Sequence, residues 1–231
     1  MPSILITGAN RGLGLEMTKQ YLQDGWQVIA CCRSPSKASE LIDLESEAKE
    51  QLRILELDVN DANAISSLPS RVQNQPIDVL INNAGILKTL NKDSDSISPE
   101  AWLESFRVNT IAPALIAKSL SGLIAAGQQK IIVNLSSQLG SISLASDLTY
   151  LLYGSSKAAL NYVTKSLAVE LKSSGIIVIS IHPGWAKTDM GGKNAQLMPA
   201  ESVAGIRKVL KSLTLKQSGA FYDYSGKIIP Y

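Results

Sequence analysis

The sequence lacks any marked charge imbalance and has very few cysteines. Its 22 basic and 20 acidic residues leave a net charge of +2 over 231 positions, which predicts neither a nucleic-acid partner nor a membrane-surface one. The two cysteines, Cys31 and Cys32, are adjacent, and neighbours in an extended strand point to opposite faces, which disfavours a disulfide between them. We therefore expect a small-molecule partner and a reducing, cytoplasmic setting.

The sequence also lacks the features of export and membrane insertion. It has no basic flank and apolar core of a signal peptide, and no uninterrupted apolar run approaches ~18 residues. Hydrophobic residues make up 45% of the chain and charged residues 18%, which favours strands buried on both faces, or a sizeable oligomer interface, over disorder. Without linkers or repeats, the length predicts one domain over residues 1–231.

Short apolar runs alternate with helical patterns along the chain. We predict helices at about 15–22, 36–50, 62–72, 99–123, 151–173 and 200–213. The runs predicted as strands are 3–7, 27–32, 52–57, 77–81, 130–135, 176–181 and 220–224. The alternation predicts an α/β fold, a Rossmann-type doubly wound parallel sheet of about seven strands flanked by helices.

Glycine-rich and polar clusters follow the predicted strand ends, where ligands bind in such sheets. In the first cluster, Gly8, Gly12 and Gly14 form G-x-x-x-G-x-G rather than the usual G-x-G-x-x-G. Glycines here permit a tight turn and close packing, while the helix N-terminus offers amides to a pyrophosphate. We interpret the loop as a dinucleotide site, with an ordinary flexible turn as the alternative. Its predicted cofactor-binding residues are Gly8, Asn10, Arg11, Gly12, Leu13 and Gly14.

The end of the second predicted strand indicates which dinucleotide binds. An acidic residue there would favour NAD, but the sequence has Arg33, and Arg11 lies in the glycine loop. Because arginine pairs bidentately with phosphate, NADP(H) is preferred over NAD(H); two ordinary surface arginines are the alternative. After the third strand, Asp58 and Val59 are assigned to the adenine, although Asp58 could equally cap the next helix.

Tyr153 and Lys157 stand near the start of the helix predicted at 151–173. Four residues is just over one helical turn, so the phenol and the ammonium share a face. A tyrosine with a free pKa of ~10 needs a shift of roughly 3 units, ~4 kcal/mol, to act at neutral pH. A cation ~5 Å away at an effective dielectric of ~20 supplies roughly 3 kcal/mol. We predict that Lys157 lowers the Tyr153 pKa; an exposed pair on an amphipathic helix is the alternative.

Several motifs occur in a fixed order over essentially the whole length. They are TGANRGLG at 7–14, NNAG at 82–85, Asn109, Ser136-Ser137, Tyr153-x-x-x-Lys157 and Pro183-Gly184. In this set and order the chain resembles the short-chain dehydrogenase/reductase family. Partly through its ending, FYDYSG and IPY, it is most similar to the single-domain carbonyl-reductase members related to the bacterial C-factor.

The resemblance implies a role for each matching residue. Tyr153 would exchange a proton with the substrate oxygen, and Lys157 would bind the nicotinamide ribose and lower the phenol pKa. Ser137, with Ser136 as a substitute, would orient the carbonyl, and Asn109 would hold a water in a proton relay. The further cofactor contacts implied are Asn82, Asn83, Ala84, Gly85, Pro183, Gly184 and Thr188.

The activity implied is NADP(H)-dependent hydride transfer between the nicotinamide and a carbonyl or secondary-alcohol substrate, without a metal. Ser137 precedes Tyr153 by 16 residues, longer than is common in the family, which enlarges the loop 140–149 and leaves the substrate open. Residues 190–195 predict a lid of little bulk. An apolar wall, or equally core packing, is expected from Tyr150, Leu151, Leu152 and Trp185.

Two other functions and an assembly are considered. A sugar-nucleotide epimerase or dehydratase uses a similar Tyr and Lys but appends a sizeable C-terminal substrate domain, and only a short tail follows the last predicted strand. A non-catalytic NADP-binding regulatory or signalling protein would not need the intact catalytic set. Apolar residues on several faces of the helices at 99–123 and 151–173 predict a homodimer or homotetramer, although a thick core would give the same pattern.

Overall fold

The computed structural model describes residues 1–89, 98–146 and 148–231. Its strands are β1 Ser3–Thr7, β2 Gln27–Cys32, β3 Leu52–Glu56, β4 Val79–Asn82, β5 Ile131–Leu135, β6 Ile177–His182 and β7 Phe221–Asp223. They form one parallel sheet in the order β3-β2-β1-β4-β5-β6-β7. The predicted seven-stranded, doubly wound sheet is confirmed, with the strand order reversing between β1 and β4.

Helices cover both faces of the sheet. They are α1 Gly12–Gln23, α2 Ser39–Ala48, α3 Ala62–Ser66, α4 Leu68–Arg71, α5 Pro99–Phe106, α6 Ala112–Ala125, α7 Leu151–Glu170 and α8 Pro199–Lys211. Side chains alternate along β1, so that Ile4 and Ile6 pack with α1 and α8, while Leu5 packs with α6 and α7. Strands β4 and β5 are buried along their whole length, as expected when helices cover both faces.

Two predicted helices are interrupted, in both cases near a proline. The helix expected at 62–72 is divided into α3 and α4, because Pro69 lies in the first turn of α4 and cannot continue α3. The helix expected at 99–123 contains a π-helical turn, Arg107–Ile111, between α5 and α6. By length and composition alone, the stretch Pro99–Ala125 could span a bilayer. An 18-residue window within it has a mean hydropathy of 1.4, and half of this window is buried inside the protein.

Candidate active site

A cleft of about 610 Å³ opens at the carboxyl ends of the strands. Its walls come from the loops after β1, β2, β3, β4, β5 and β6, from α5 and the turn after it, and from the start of α7. The predicted cofactor-binding residues that line it are Gly8, Asn10, Arg11, Gly12, Leu13, Arg33, Asp58, Val59, Asn83, Ala84, Gly85, Tyr153, Lys157, Pro183 and Thr188. The other predicted site residues, Gly14, Gly184, Ser137 and Asn109, are not part of this lining.

The glycine loop packs too closely for side chains. A Cβ on Gly14 would lie 2.3 Å from the Gly8 carbonyl oxygen, and one on Gly8 would lie 2.9 Å from Ala84 Cα. Gly8 and Gly12 have φ values of 65° and 56°, the left-handed region that favours glycine. No side chain caps α1, whose N-cap residue is Arg11, so the first amides of this helix remain available to an anion.

Asn83 ties the glycine loop to the end of β4. Its side-chain amide donates to the carbonyl oxygens of Thr7 and Gly8 at 2.8 and 2.9 Å. The Thr7 hydroxyl accepts from the backbone amides of Asn83 and Ala84, both at 3.0 Å. These bonds fix the loop against the neighbouring strand, which makes this part of the cleft rigid.

Asn82 does not line the cleft, contrary to the prediction. It is buried within the sheet, where its amide donates to Asn134 Oδ1 at 2.9 Å. Asn134 in turn donates to Thr164, whose hydroxyl accepts from Ser180 at 2.8 Å. The reason is strand parity, since adjacent residues point to different sides and only Asn83 and later residues reach the edge.

Basic residues gather where β2 ends. Arg33, Ser34 and Lys37 line the cleft there, because a short 3₁₀ turn, Pro35–Lys37, brings the lysine back towards the arginine. Arg11 also lines the cleft, but its guanidinium pairs with Asp189 at 2.8 Å, and both side chains are largely exposed. The sequence prediction missed Lys37 and the Arg11–Asp189 pair.

Asp58 lines the cleft rather than capping a helix. Its carboxylate accepts from the Asn60 amide at 2.9 Å. The N-cap of α3 is Asp61, which accepts from the amides of Asn63 and Ala64. The alternative role considered for Asp58 is therefore filled by Asp61, and the adenine contact of Asp58 stays a prediction.

Tyr153 and Lys157 are buried together at the start of α7, with only 7% and 4% of each exposed. Lys157 Nζ donates to the Leu135 carbonyl oxygen at 2.7 Å and lies 5.6 Å from the centre of the Tyr153 ring. Both residues line the cleft. The interpretation as an exposed pair on an amphipathic helix is therefore wrong.

Burial shifts the pKa values of both groups, because it disfavours the charged form of each. It raises the pKa of the Tyr153 phenol to about 12, although a hydrogen bond with Ser137 lowers it. It lowers the pKa of the Lys157 ammonium to about 7. The expected lowering of the phenol pKa by Lys157 is wrong for the protein's own groups, because desolvation dominates and the group that lowers this pKa is Ser137.

Ser137 is positioned by the turn that follows β5. Its hydroxyl accepts from the Leu139 amide at 3.2 Å, and its interaction with Tyr153 lowers the pKa of the phenol. Ser136 lines the cleft, and its buried hydroxyl has no hydrogen-bond partner within the described ranges. The contact with the phenol favours Ser137 for the substrate-orienting role.

Asn109 is fully buried in the π-helical turn. Its side chain exchanges two hydrogen bonds with the backbone of Ile86 and donates to Ser156 Oγ at 3.0 Å. Pro113 has no N–H and so cannot make the α-helical hydrogen bond to the Asn109 carbonyl. The side chain therefore anchors the turn through its bonds to Ile86 and Ser156, and the water expected at Asn109 stays a prediction.

The loop after β6 closes the far side of the cleft. Gly184 has a φ of 76°, and a Cβ there would lie 2.6 Å from a Leu197 methyl group, so this glycine serves packing. Thr188 lines the cleft, and its hydroxyl accepts from the Gly191 amide at 3.1 Å.

Two residues of the predicted apolar wall differ in exposure. Trp185 is 57% exposed, whereas Leu152 is only 2% exposed and packs in the core.

Several lining residues were not predicted. They are Cys32, Ser34, Lys37, Leu57, Asn60, Ile86, Glu104, Val108, Leu135 and Asp189, whereas Met190 belongs to the lid predicted at 190–195. Six of them lie at a strand end or within about four residues after it: Cys32, Ser34, Leu57, Asn60, Ile86 and Leu135. Extending each cluster by two or three positions would have included Ser34, Asn60 and Ile86.

The doubly wound parallel sheet, with a glycine loop after its first strand, is a Rossmann-type fold. The buried Tyr153–Lys157 pair lies at the edge of the sheet where such folds bind their ligands. The chain belongs to the short-chain dehydrogenase family, whose model matches residues 2–198. The predicted family is thereby confirmed.

Individual relatives agree with this assignment. Carbonyl reductase Sniffer of D. melanogaster is 35% identical, with a TM-score of 0.92 over 100% of both chains. The NADPH-bound carbonyl reductase from chicken fatty liver is also 35% identical, with a TM-score of 0.91 over 100% of this chain and 99% of that one. The C-signal of Myxococcus xanthus is 33% identical over 156 residues, which are 68% of this chain and 93% of that protein.

Proposed function

We propose that this oxidoreductase is an NADP(H)-dependent carbonyl reductase acting on a small carbonyl or secondary-alcohol substrate. The observation that carries the proposal is the burial of Tyr153 and Lys157 together at the cleft, where Ser137 acts on the phenol and lowers its pKa. Two titratable groups desolvated beside a cavity are typical of catalytic sites. A helix face with a purely structural role would expose both charges to water.

The residues of the cleft fit NADP(H). The uncapped start of α1 offers amides to the pyrophosphate, and the glycine cradle admits it closely. Arg33 and Lys37 supply positive charge for a 2′-phosphate where an acidic residue would select NAD. Lys157, Pro183 and Thr188 lie at the nicotinamide end. The NADPH held by the chicken relative supports this preference, and NAD(H) is the weaker alternative.

When bound, NADPH supplies the hydride for the carbonyl carbon. Tyr153, with a pKa of about 12, keeps its proton at neutral pH and donates it to the substrate oxygen. Ser137 donates a hydrogen bond to the same oxygen as negative charge develops there. Lys157, with a pKa of about 7, is partly protonated at neutral pH and returns a proton to the Tyr153 phenolate through the water that Asn109 is predicted to hold.

The proposal is tested with a panel of aldehydes, ketones and secondary alcohols, with NADPH and NADH in parallel. For an active substrate, we expect Tyr153→Phe to lower kcat by about 10²- to 10⁴-fold, the usual contribution of a general acid. NADPH binding, measured by fluorescence titration, should stay within about twofold of the wild type, because the phenol oxygen alone is removed.

Tyr162→Phe is the matched control, because this tyrosine is on the same helix and is 76% exposed. Turnover by Tyr153→Phe close to that of Tyr162→Phe would refute the role of Tyr153. A wild-type protein that binds NADPH but reduces nothing in the panel would instead indicate a non-catalytic regulator.

We also propose a homodimer or homotetramer in the cytoplasm. Five large apolar side chains on α5, the π-helical turn, α6 and α7 are exposed: Leu103, Ile111, Leu115, Tyr162 and Val169. Covering such a surface is a common reason for association. Light scattering tests this, and the mass of a single 24.7 kDa chain would contradict it. The two buried, free cysteines suit a reducing compartment, which cell fractionation would check.

A further inference from the structure

The segment after β7, residues 224–231, folds back along the outer edge of the sheet. The Asp223 amide donates to the Lys227 carbonyl at 2.8 Å, which closes the turn. Tyr222 and Ile228 then form an antiparallel bridge, and the Ile229 amide donates to the Phe221 carbonyl at 2.8 Å. The tail, which we define as residues 227–231, is therefore held against β7 along its length.

The end of the tail reaches the loop that follows β5. The carbonyl oxygen of Tyr231 accepts from both the amide and the hydroxyl of Ser143, at 3.1 and 2.6 Å. The carbonyl oxygen of Pro230 accepts from the Ser141 hydroxyl at 2.6 Å. Ser141 is 1% exposed, so its hydroxyl depends on this partner rather than on water.

The Tyr231 side chain fixes this contact from the other side. Its ring stacks on Phe221 with the ring centres 6.0 Å apart, and its hydroxyl donates to the Gly219 carbonyl at 2.5 Å. Gly219 and Phe221 belong to the entry into β7 and the strand itself. The tail therefore links the edge strand of the sheet to residues 141–143.

Residues 141–143 continue directly from the turn that positions Ser137. That turn, Gln138–Gly140, has Ser137 as its N-cap. Gly140 lies so close to α7 that a Cβ would be 2.7 Å from the Lys157 backbone, and its carbonyl accepts from Asn161 at 3.2 Å. The Ser137 hydroxyl, the turn and the tail thus form one connected structure packed on α7.

We infer that the tail is a positioning element for Ser137 and for residues 138–146, and so determines which carbonyl compounds fit the site. This rests on the proposed reductase activity. No residue of the tail, and neither Ser141 nor Ser143, lines the cleft, whose walls carry the predicted cofactor residues. Loosening the tail should therefore weaken use of the carbonyl substrate and leave NADPH binding unchanged.

The test is steady-state kinetics on the Ser141→Ala/Ser143→Ala double variant and on Tyr231→Phe. We expect the double variant, which removes two side-chain hydrogen bonds, to raise KM for the carbonyl substrate by about fivefold or more, since one lost neutral hydrogen bond alone is on that scale. The Kd for NADPH should stay within about twofold. The single variants Ser143→Ala and Ser143→Thr are compared as well. Threonine keeps the hydroxyl that donates to Tyr231, so Ser143→Thr should keep a substrate KM near that of the wild type, whereas Ser143→Ala should raise it.

Ser121→Ala is the matched control, because the hydroxyl of that half-buried serine donates within α6, to the Lys118 carbonyl at 2.9 Å. Unchanged substrate KM in the double variant, or parallel rises in substrate KM and NADPH Kd, would overturn the inference.

A second measurement keeps the inference separate from the proposed activity. Hydrogen exchange of the peptide 138–146 should accelerate in Tyr231→Ala, because the anchor that presents the Tyr231 carbonyl to the Ser143 amide is lost. A glycine-loop peptide should be unaffected. Equal exchange in both proteins overturns the tail's role even if no carbonyl is reduced, whereas failure of the wild-type enzyme in the panel overturns only the proposed function.

Discussion

The two halves of the cleft are built differently. The half proposed to hold the cofactor follows β1, β2 and β4 and is largely glycine-rich backbone. Asn83 holds it by donating hydrogen bonds to Thr7 and Gly8. The substrate half, after β5 and β6, consists of longer loops, one of which is held by contacts 88 residues away along the chain. Short motifs therefore determine the first half, while long-range packing determines the second. We expect changes in the two halves to separate experimentally.

The largest effect is expected from Gly14→Ala, which breaks the cofactor half. The added Cβ would lie 2.3 Å from the Gly8 carbonyl oxygen, so the loop must move or the protein must unfold. We expect a loss of about 1–3 kcal/mol or more in unfolding free energy, as for other overpacked sites, together with loss of NADPH binding. Thermal melts and NADPH fluorescence titration measure the two effects.

Gly122→Ala is the control for Gly14→Ala, because no atom lies within 4 Å of its Cβ position in α6. That change should stabilise the protein by about 0.5–1 kcal/mol, through helix propensity alone. Equal melting temperatures for the two variants would contradict the close-packed cradle.

A smaller effect is expected from the Arg33→Ala/Lys37→Ala double variant, which sharpens the comparison within the cofactor half. Removing two charges beside the 2′-phosphate should raise KM for NADPH by about 10- to 100-fold, the scale of one charged hydrogen bond. KM for NADH should not change, since NADH lacks that phosphate. Lys172→Ala, far from the cleft, is the control, and equal effects on the two cofactors would contradict the assignment.

The smallest effect concerns pH and the junction of the two halves. Lys157 has a folded pKa of about 7, below its unfolded value of 10.5. Between these values the unfolded chain binds one more proton, so stability rises with pH. We expect the wild-type melting temperature to gain on that of Lys157→Met from pH 7 to about pH 8.5. A constant difference between the two proteins would show that the ammonium is not desolvated.

The sequence motifs predicted the fold and most of the cofactor half, because each strand ends at a recognisable glycine or polar cluster. Tyr153 and Lys157 were identified by spacing, but the direction of the Tyr153 pKa shift was not, since desolvation depends on packing that spacing does not reveal. Lys37 was not predicted because it reaches the cleft through a 3₁₀ turn. The hydrogen bonds from Ser143 to Tyr231 were not predicted because they join residues 88 apart in the sequence. Pro113, four residues after Asn109, lacks an N–H and so indicates from the sequence alone that the α-helical hydrogen-bond pattern is interrupted there.

The buried polar chain through Asn82, Asn134, Thr164 and Ser180 has a consequence for assembly of the sheet. Asn82 is aligned with Asn134, and Asn134 with Ser180, on three adjacent strands. Sliding any of these strands by one residue would strand amide and hydroxyl groups in hydrocarbon, which apolar neighbours alone would not penalise. This buried polar network therefore fixes the register of β4, β5 and β6 within an otherwise apolar core. The fixed register places Asn83 and Ser137 at the same edge of the sheet.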